Sequence, residues 1–349
     1  MMRDRVFLVG LRYPHHARHS GYEAFGRYIG TAMAPPVNFR WTQGKWGWPL
    51  NRAISRMARH PWYSLGAHLM EWSSLRHMNR NRDCVYHVLY GDSDLWLLRR
   101  ANRLTGNRLV ASFHQPADHL RKLGSIERIA RHLDAAILVC EAQRGYFEEF
   151  LPADRVFVVS HGVDTDFFRP SGEDGGELLC VTVGSHLRDF GTHREAIRLV
   201  WRANPGVRFL SIGTRSDKKS YFPQLDDPRI RFLDRVSDEE MLRALQTAKV
   251  AMFSFEDATA NNALLESMAS GLPIVATDVG GIREYVGRDA GILCQRKDPR
   301  ALADGILTLL DDAPARKKMA KASRSRALQI DFRIVANRMG EIYSKTLLP

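Results

Sequence analysis

Cysteine is scarce in this chain. Four residues in 349, Cys84, Cys140, Cys180 and Cys294, lie far apart and mostly inside apolar runs. That dispersal favours buried free thiols over a disulfide framework or a cysteine metal cluster, and fits a reducing compartment. No apolar run approaches the roughly 20 residues of a membrane-spanning helix. The opening Met1-Met2-Arg3-Asp4-Arg5 leads straight into a short apolar run and lacks a signal-peptide pattern. There is no repeat of solenoid period, and no metal-ligand spacing, so neither a metal nor another cofactor is expected. Acidic residues are short in the first half. Residues 1–165 hold 23 Lys and Arg against 14 Asp and Glu, whereas 166–349 hold 28 against 25. The formal charge of +12 is therefore concentrated in the first half. Such a field favours an anionic partner: nucleic acid, an anionic membrane or a phosphorylated molecule. No recognisable nucleic-acid-binding module accompanies the charge, so nucleic acid is not expected.

What is present is a regular alternation. Apolar runs at 6–11, 84–90, 109–113, 135–140 and 156–159, then at 178–183, 207–212, 230–233, 250–255 and 273–279, are separated by helical patterns. Strands alternating with helices imply parallel sheets covered on both faces. The expected fold is α/β, with two doubly wound, Rossmann-like domains. Residues 1–168 form the first, 169–176 a Pro- and Gly-bearing linker, 177–330 the second, and 331–349 a final helix crossing back to the first.

The chain is organised around residues 250–286. A strand-like run, Val250 to Phe255, is followed by polar Glu256, Asp257 and Thr259, then by Asn261 and Asn262 at the start of a helical pattern. Asn caps helices by satisfying an orphan backbone N–H. Gly271 and Pro273 stop the helix, and a second strand leads to Gly280-Gly281. A strand end next to a helix start is an anion site in waiting. Glu266 falls one turn into the helix, where it suits sugar hydroxyls rather than phosphate. The spacing fits a nucleotide-sugar, with phosphate at the helix tip and ribose at Glu266; an ordinary αβ turn with a surface Glu is the alternative. His114 closes the strand-like run 109–113, and a side chain at that end of an open α/β sheet reaches the ligand crevice.

Residues 40–82 carry five of the seven Trp (Trp41, Trp46, Trp48, Trp62, Trp72) and eight basic residues against one acid, Glu71. Two readings stand: a helix pair packing its aromatics inward, or a membrane interface with Trp at headgroup depth and Arg at lipid phosphate.

The segment Glu266-Ser267-Met268-Ala269-Ser270-Gly271-Leu272-Pro273, with Gly280-Gly281, resembles the donor-binding segment of retaining family 4 glycosyltransferases of the GT-B fold. The stretch Gly162-Val163-Asp164, with Phe168 and Pro170 after it, resembles that family's interdomain segment, with His161 in place of Asn. The resemblance implies two Rossmann-like domains facing a central cleft and transfer of a sugar, with retention, from a nucleotide-sugar to an acceptor hydroxyl. It places His114 near the donor sugar and Ser20 and Gly21 in a cleft-facing loop. Gly184, Ser185, His186 and Arg188 fall in the diphosphate loop, Gly213, Arg235 and Val236 after the next strands, and Thr259, Asn261, Asn262 and Ala263 at the donor helix. The chain departs from the pattern in two places. Ala258 stands eight residues before Glu266, where the family has its first Glu; Asp257 is the preferred substitute and Glu256 the other. Ser185 and Phe190 stand where the family carries its two cations, which leaves Arg188, or next His186, to meet the diphosphate. Together with residues 40–82, the resemblance implies a lipid-linked or saccharide acceptor, an anionic membrane partner, a cytoplasmic and peripheral location, and a role in cell-surface polysaccharide assembly. A non-catalytic nucleotide-sugar-binding or membrane-associated protein and a GT-B-like epimerase are the alternatives.

Overall fold

The computed structural model describes residues 3–11, 18–33, 48–172, 176–216, 219–220, 225 and 227–348. The chain divides into two compact units. One comprises Met1–His16, Gly21–His161 and Phe332–Pro349; the other comprises Ala17–Ser20 and Gly162–Asp331. Residues 40–47 of the Trp- and Arg-rich stretch, and 173–175 of the expected linker, lie outside the described residues.

The first unit is built on strands β1 (Val6–Val9), β2 (Ala32–Met33), β3 (Val85–Val88), β4 (Arg108–Phe113), β5 (Ala135–Leu138) and β6 (Val156–Val158). Helices α1 (Trp48–Ala58) and α2 (Leu65–Arg80) precede β3. The strand order is β2-β1-β3-β4-β5-β6, and the pairs are parallel. Strands β3 and β5 are buried along their whole length, as a parallel sheet covered on both faces requires. A buried polar chain crosses this sheet. Tyr343, from the final helix, bonds His87 Nδ1 at 2.6 Å; His87 Nε2 bonds Ser112 at 2.7 Å; Ser112 meets Tyr22 at 2.9 Å. Burial pushes the His87 pKa down to about 3, so the ring is neutral and can donate through one nitrogen and accept through the other.

The second unit contains β7 (Leu179–Val183), α3 (Phe190–Ala203), β8 (Arg208–Ile212), β9 (Ile230–Leu233), α4 (Asp238–Thr247), β10 (Val250–Phe253), α5 (Asn262–Ala269), β11 (Ile274–Thr277), β12 (Gly291–Cys294), α6 (Pro299–Asp311) and α7 (Ala313–Gln329). Its strand order is β9-β8-β7-β10-β11-β12, again parallel. Side chains alternate between two apolar layers, as period-two strands must. Val181, Ala251, Phe253 and Ile274 pack with Leu264, Leu265 and Met268 of α5 on one face. Cys180, Val250, Met252 and Val275 pack with Ile197, Val200, Leu302 and Ile306 of α3 and α6 on the other. The two ends of the unit meet: Val163 N donates to Ile330 O at 3.2 Å, and Thr165 Oγ1 donates to Asp331 at 2.5 Å. The final helix, α8 (Phe332–Leu347), returns to the first unit.

All four cysteines are buried and free. Among the described residues no helix is long and apolar enough to cross a membrane.

Candidate functional site in the second unit

In the order β9-β8-β7-β10-β11-β12 the chain winds outward from β7 in one direction and then from β10 in the other. An open α/β sheet binds ligands outside the carboxyl ends of its strands at such a switch point. The loops after β7 and β10 meet there. Asp189 N donates to Ser254 O at 2.9 Å and Glu256 N to Leu187 O at 2.8 Å, and Arg188 and Phe255 form an antiparallel bridge. Leu187 adopts a left-handed backbone, φ 52°, to make the turn.

Arg188 lies inside this junction and is only 7% exposed. Phe253 and Phe255, two apart on the chain and therefore on one side, stack at 5.7 Å. The guanidinium lies 5.1 Å and 4.1 Å from their ring centres. One nitrogen, Nη2, donates to Val183 O at 2.7 Å and reaches Asn261 Oδ1 at 3.3 Å. Nε and Nη1 are buried with no hydrogen-bond partner among the described residues. Burial lowers its pKa to about 9, which leaves the group charged at neutral pH. A buried cation without a counter-charge is costly, and an anion brought to this junction relieves the cost. Asn261 caps α5, accepting from Leu264 N at 3.1 Å, so the start of that helix and the Arg188 side chain converge on one residue.

Glu266, one turn into α5, is 7% exposed rather than a surface residue. Ser20 Oγ donates to its Oε1 at 2.6 Å, and Asn262 Nδ2 reaches Ser20 Oγ at 3.5 Å. Burial raises the Glu266 pKa to about 7 against the opposing Ser20 hydrogen bond. Ser20 stays in this unit because its neighbour His19 is held there. His19 Nδ1 bonds Asp164 at 2.7 Å, His19 N donates to Asp238 at 3.2 Å, and the ring stacks on Phe167 at 3.8 Å.

The remaining residues expected at the donor site follow the ends of the same strands. Gly184 and Gly213 succeed β7 and β8 with φ 79° and 65°. A Cβ on Gly213 would lie 3.9 Å from the Gly184 backbone nitrogen, so the two turns touch. Ser185 is half-buried, His186 and Arg235 are exposed, Val236 is half-buried, and Thr259 and Ala263 are buried. Of the two acids that replace the missing Glu, Glu256 is paired with Arg296 at 3.2 Å. Asp257 Oδ1 accepts from the adjacent Ala258 N at 2.8 Å. Gly280 and Gly281 back this loop: Gly281 N donates to Ala258 O at 3.0 Å. Among the described residues no three His, Cys, Asp or Glu side chains converge on a metal-sized site.

His114 and Gly21 belong to the first unit. His114 follows β4, donates through Nε2 to Leu89 O at 2.8 Å, and packs edge-on against Tyr22 at 4.5 Å. Two residues that sequence reasoning missed hold this turn. Asp92 accepts from His114 N at 2.8 Å and Gln115 N at 3.3 Å. Gln143 donates to Phe113 O at 3.1 Å and Gln115 O at 2.9 Å. Neither falls in a distinctive local pattern. The Phe253-Ser254-Phe255 alternation was the one available sign of an aromatic seat for Arg188.

Residues 179–312 match the family described as "Glycosyl transferases group 1". Over 222 residues the chain is 31% identical to a D-inositol 3-phosphate glycosyltransferase of Corynebacterium efficiens, covering 55% of this chain and 51% of that protein. Over 264 residues it is 25% identical to a phosphatidyl-myo-inositol mannosyltransferase of Mycobacterium leprae, covering 71% and 69%. The chain thus spans about half the length of the Corynebacterium relative. HepE of Anabaena, solved with UDP and glucose, superposes with a TM-score of 0.72 at 17% identity, covering 99% of this chain and 100% of that one. At that identity the likeness is one of fold, and the fold is the expected pair of doubly wound α/β units of the GT-B type.

Proposed function

We propose that this chain, with its GT-B fold and a group 1 glycosyl transferase match across its second unit, moves a sugar from a nucleotide-sugar to an acceptor hydroxyl with retention at the anomeric carbon. The bond from the sugar to the diphosphate breaks, its electron pair leaves with the phosphate, and the acceptor oxygen takes its place on the same face while passing its proton to the departing phosphate oxygen. Arg188 and the amino end of α5 hold the diphosphate as negative charge builds on it, with the backbone of Gly184 and Gly213 close by. Electrostatic stabilisation of this kind is commonly the largest contribution to catalysis. Glu266 takes the ribose hydroxyls, the segment around Arg235 and Val236 meets the base, and Asp257 rather than Glu256 faces the donor sugar, because Glu256 is already paired with Arg296.

The observation that carries this reading is the buried, uncompensated Arg188 guanidinium. Arg188→Ala is expected to weaken nucleoside diphosphate binding by about 100-fold, equivalent to about 3 kcal/mol. Arg188→Lys recovers part of it, since an ammonium cannot reproduce the planar fork. Calorimetry with a panel of nucleoside diphosphates, followed by transfer assays with the matching nucleotide-sugars, checks both. Wild-type affinity in Arg188→Ala places the diphosphate elsewhere. Tight binding with neither transfer nor donor hydrolysis means a non-catalytic binding protein.

The acceptor belongs to the same proposal. Leu50, Met57, Trp62 and Trp72 are exposed at 53%, 62%, 42% and 47%; Tyr63 is buried with Ala58 and Ala67, but the tryptophans Trp62 and Trp72 are not packed inward. On α1, Leu50, Ala53 and Met57 share one outward stripe, flanked by exposed Arg52, Arg56 and Arg59. An exposed apolar stripe edged with arginine suits the headgroup region of an anionic membrane. It supports a lipid-linked acceptor in cell-surface polysaccharide assembly, with the protein peripheral on the cytoplasmic face.

A further inference from the structure

We propose that the first unit carries a second anion site, a pocket for a phosphate group at the amino-terminal edge of its sheet. The pocket has a volume of about 270 Å³ and is formed by the turns that lead into three adjacent strands: Arg103 and Arg108 before and at the start of β4, Arg131 and His132 before β5, and Arg155 before β6. His114 stands at the other end of β4, and the six residues of that strand span roughly 20 Å. The pocket is therefore on the edge opposite the one where open α/β sheets bind their substrates, and the inference goes beyond the transfer reading.

The lining is strongly basic. Four arginines face one acid, Asp134, which is already engaged: it accepts from Asn102 Nδ2 at 2.8 Å and Leu109 N at 2.7 Å, and Arg108 lies 3.8 Å away. Arg131 is paired with Glu127. Arg103 and Arg155 are exposed and enter no ion pair within the described residues. His132 lines the pocket beside them. Its Nε2 accepts from Arg100 Nε at 3.3 Å, and burial together with Arg100 and Arg103 lowers its pKa, keeping the ring neutral. The hydrogen must then be on Nδ1, which is buried with no acceptor among the described residues. A phosphate oxygen answers the arginines that enter no ion pair, whose forked donors match its geometry. The volume is below the roughly 300–1,000 Å³ of pockets for drug-sized ligands, which suits a phosphomonoester or diphosphate rather than a whole nucleotide.

The probe is radiolabelled inorganic pyrophosphate in equilibrium dialysis with the full chain. Wild type is expected to bind two equivalents, one in this pocket and one at Arg188. Arg103→Glu/Arg155→Glu, both surface changes, is expected to bind one and to unfold at the wild-type temperature. Arg103→Lys/Arg155→Lys retains the second equivalent about 10-fold or more weakly. If the donor reading is wrong, Arg188→Ala leaves the stoichiometry unchanged while the pocket variant still loses one equivalent. A pocket variant that binds as wild type does overturns the inference. Vesicles separate the sources of the phosphate. Binding to phosphatidic acid vesicles that needs Arg103 and Arg155, and that pyrophosphate displaces, assigns a lipid headgroup. Pyrophosphate binding with no such dependence on vesicles assigns a free phosphorylated molecule.

Discussion

Glu266 accepts one hydrogen bond from Ser20 and is otherwise enclosed, so in the free protein burial works against its charge. Its pKa rises from 4.5 to about 7 in the folded state. Below pH 4.5 the group is protonated folded and unfolded alike. Between there and pH 7 the unfolded chain gives up the proton first, so stability falls as pH rises, and above pH 7 the full penalty is present. At about 1.4 kcal/mol per pKa unit the loss is on the order of 3 kcal/mol. Glu266→Gln should therefore melt higher than wild type at pH 8, with the gap closing by pH 5; thermal scans at the two pH values check it, and an equal gap at both refutes the assignment. Glu71 and Asp92 are also pushed up to about 7, so wild-type stability itself should slope the same way, and the difference between variant and wild type isolates Glu266. The strain has a use if ribose hydroxyls complete the carboxylate's hydrogen bonds: Glu266→Ala should then lose about 100-fold or more in transfer rate. The charge of Arg188 and the position of Glu266 were legible in the sequence. Their burial was not, because it depends on Phe253, Phe255 and Ser20 arriving from elsewhere in the chain.

The loop after β10 owes its shape to a neighbour without a side chain. A Cβ on Gly280 would lie 1.9 Å from Ala258 O and 3.1 Å from Asp257 Oδ1, and Gly280 has φ 48°. Gly280→Ala must displace backbone, so it should cost several kcal/mol and disturb nucleotide binding together. Gly145, in the short helix Arg144–Glu148, is the control: its Cβ would meet nothing within 4 Å. Gly145→Ala should leave binding unchanged and stabilise by about 0.5–1 kcal/mol. Denaturant melts and calorimetry on the two variants make the comparison. At this scale the sequence was most readable where strands are buried on both faces, since ten apolar runs became ten strands of the two sheets. Of the four edge strands, β6 and β9 were read and β2 and β12 were not. Strand β2 is two residues long, too short to produce a run of its own, and the short apolar stretch Gly291–Cys294 that forms β12 was passed over.

Charge is distributed unevenly over the whole molecule, with 23 basic residues against 14 acids before residue 166, and the exposed stripe of α1 lies in that half. Each basic residue near an anionic surface contributes about 1 kcal/mol, and screening acts within about 10 Å at 0.1 M salt. Cosedimentation with anionic vesicles should therefore weaken on adding salt and on changing Arg52, Arg56 and Arg59 to Glu; equal partitioning to neutral and anionic vesicles, or none to either, removes the lipid-linked acceptor from the proposal. The chain's path has a separate consequence. Residues 162 to 331 leave and rejoin through a paired seam, Val163 against Asp331, while the first unit keeps both chain termini. The stretch is thus a cassette held at two adjacent points. Replacing 162–331 by the same segment of a relative is therefore a graft with two places to repair, the seam of Val163 and Asp331 and the separate stretch around His19 and Ser20.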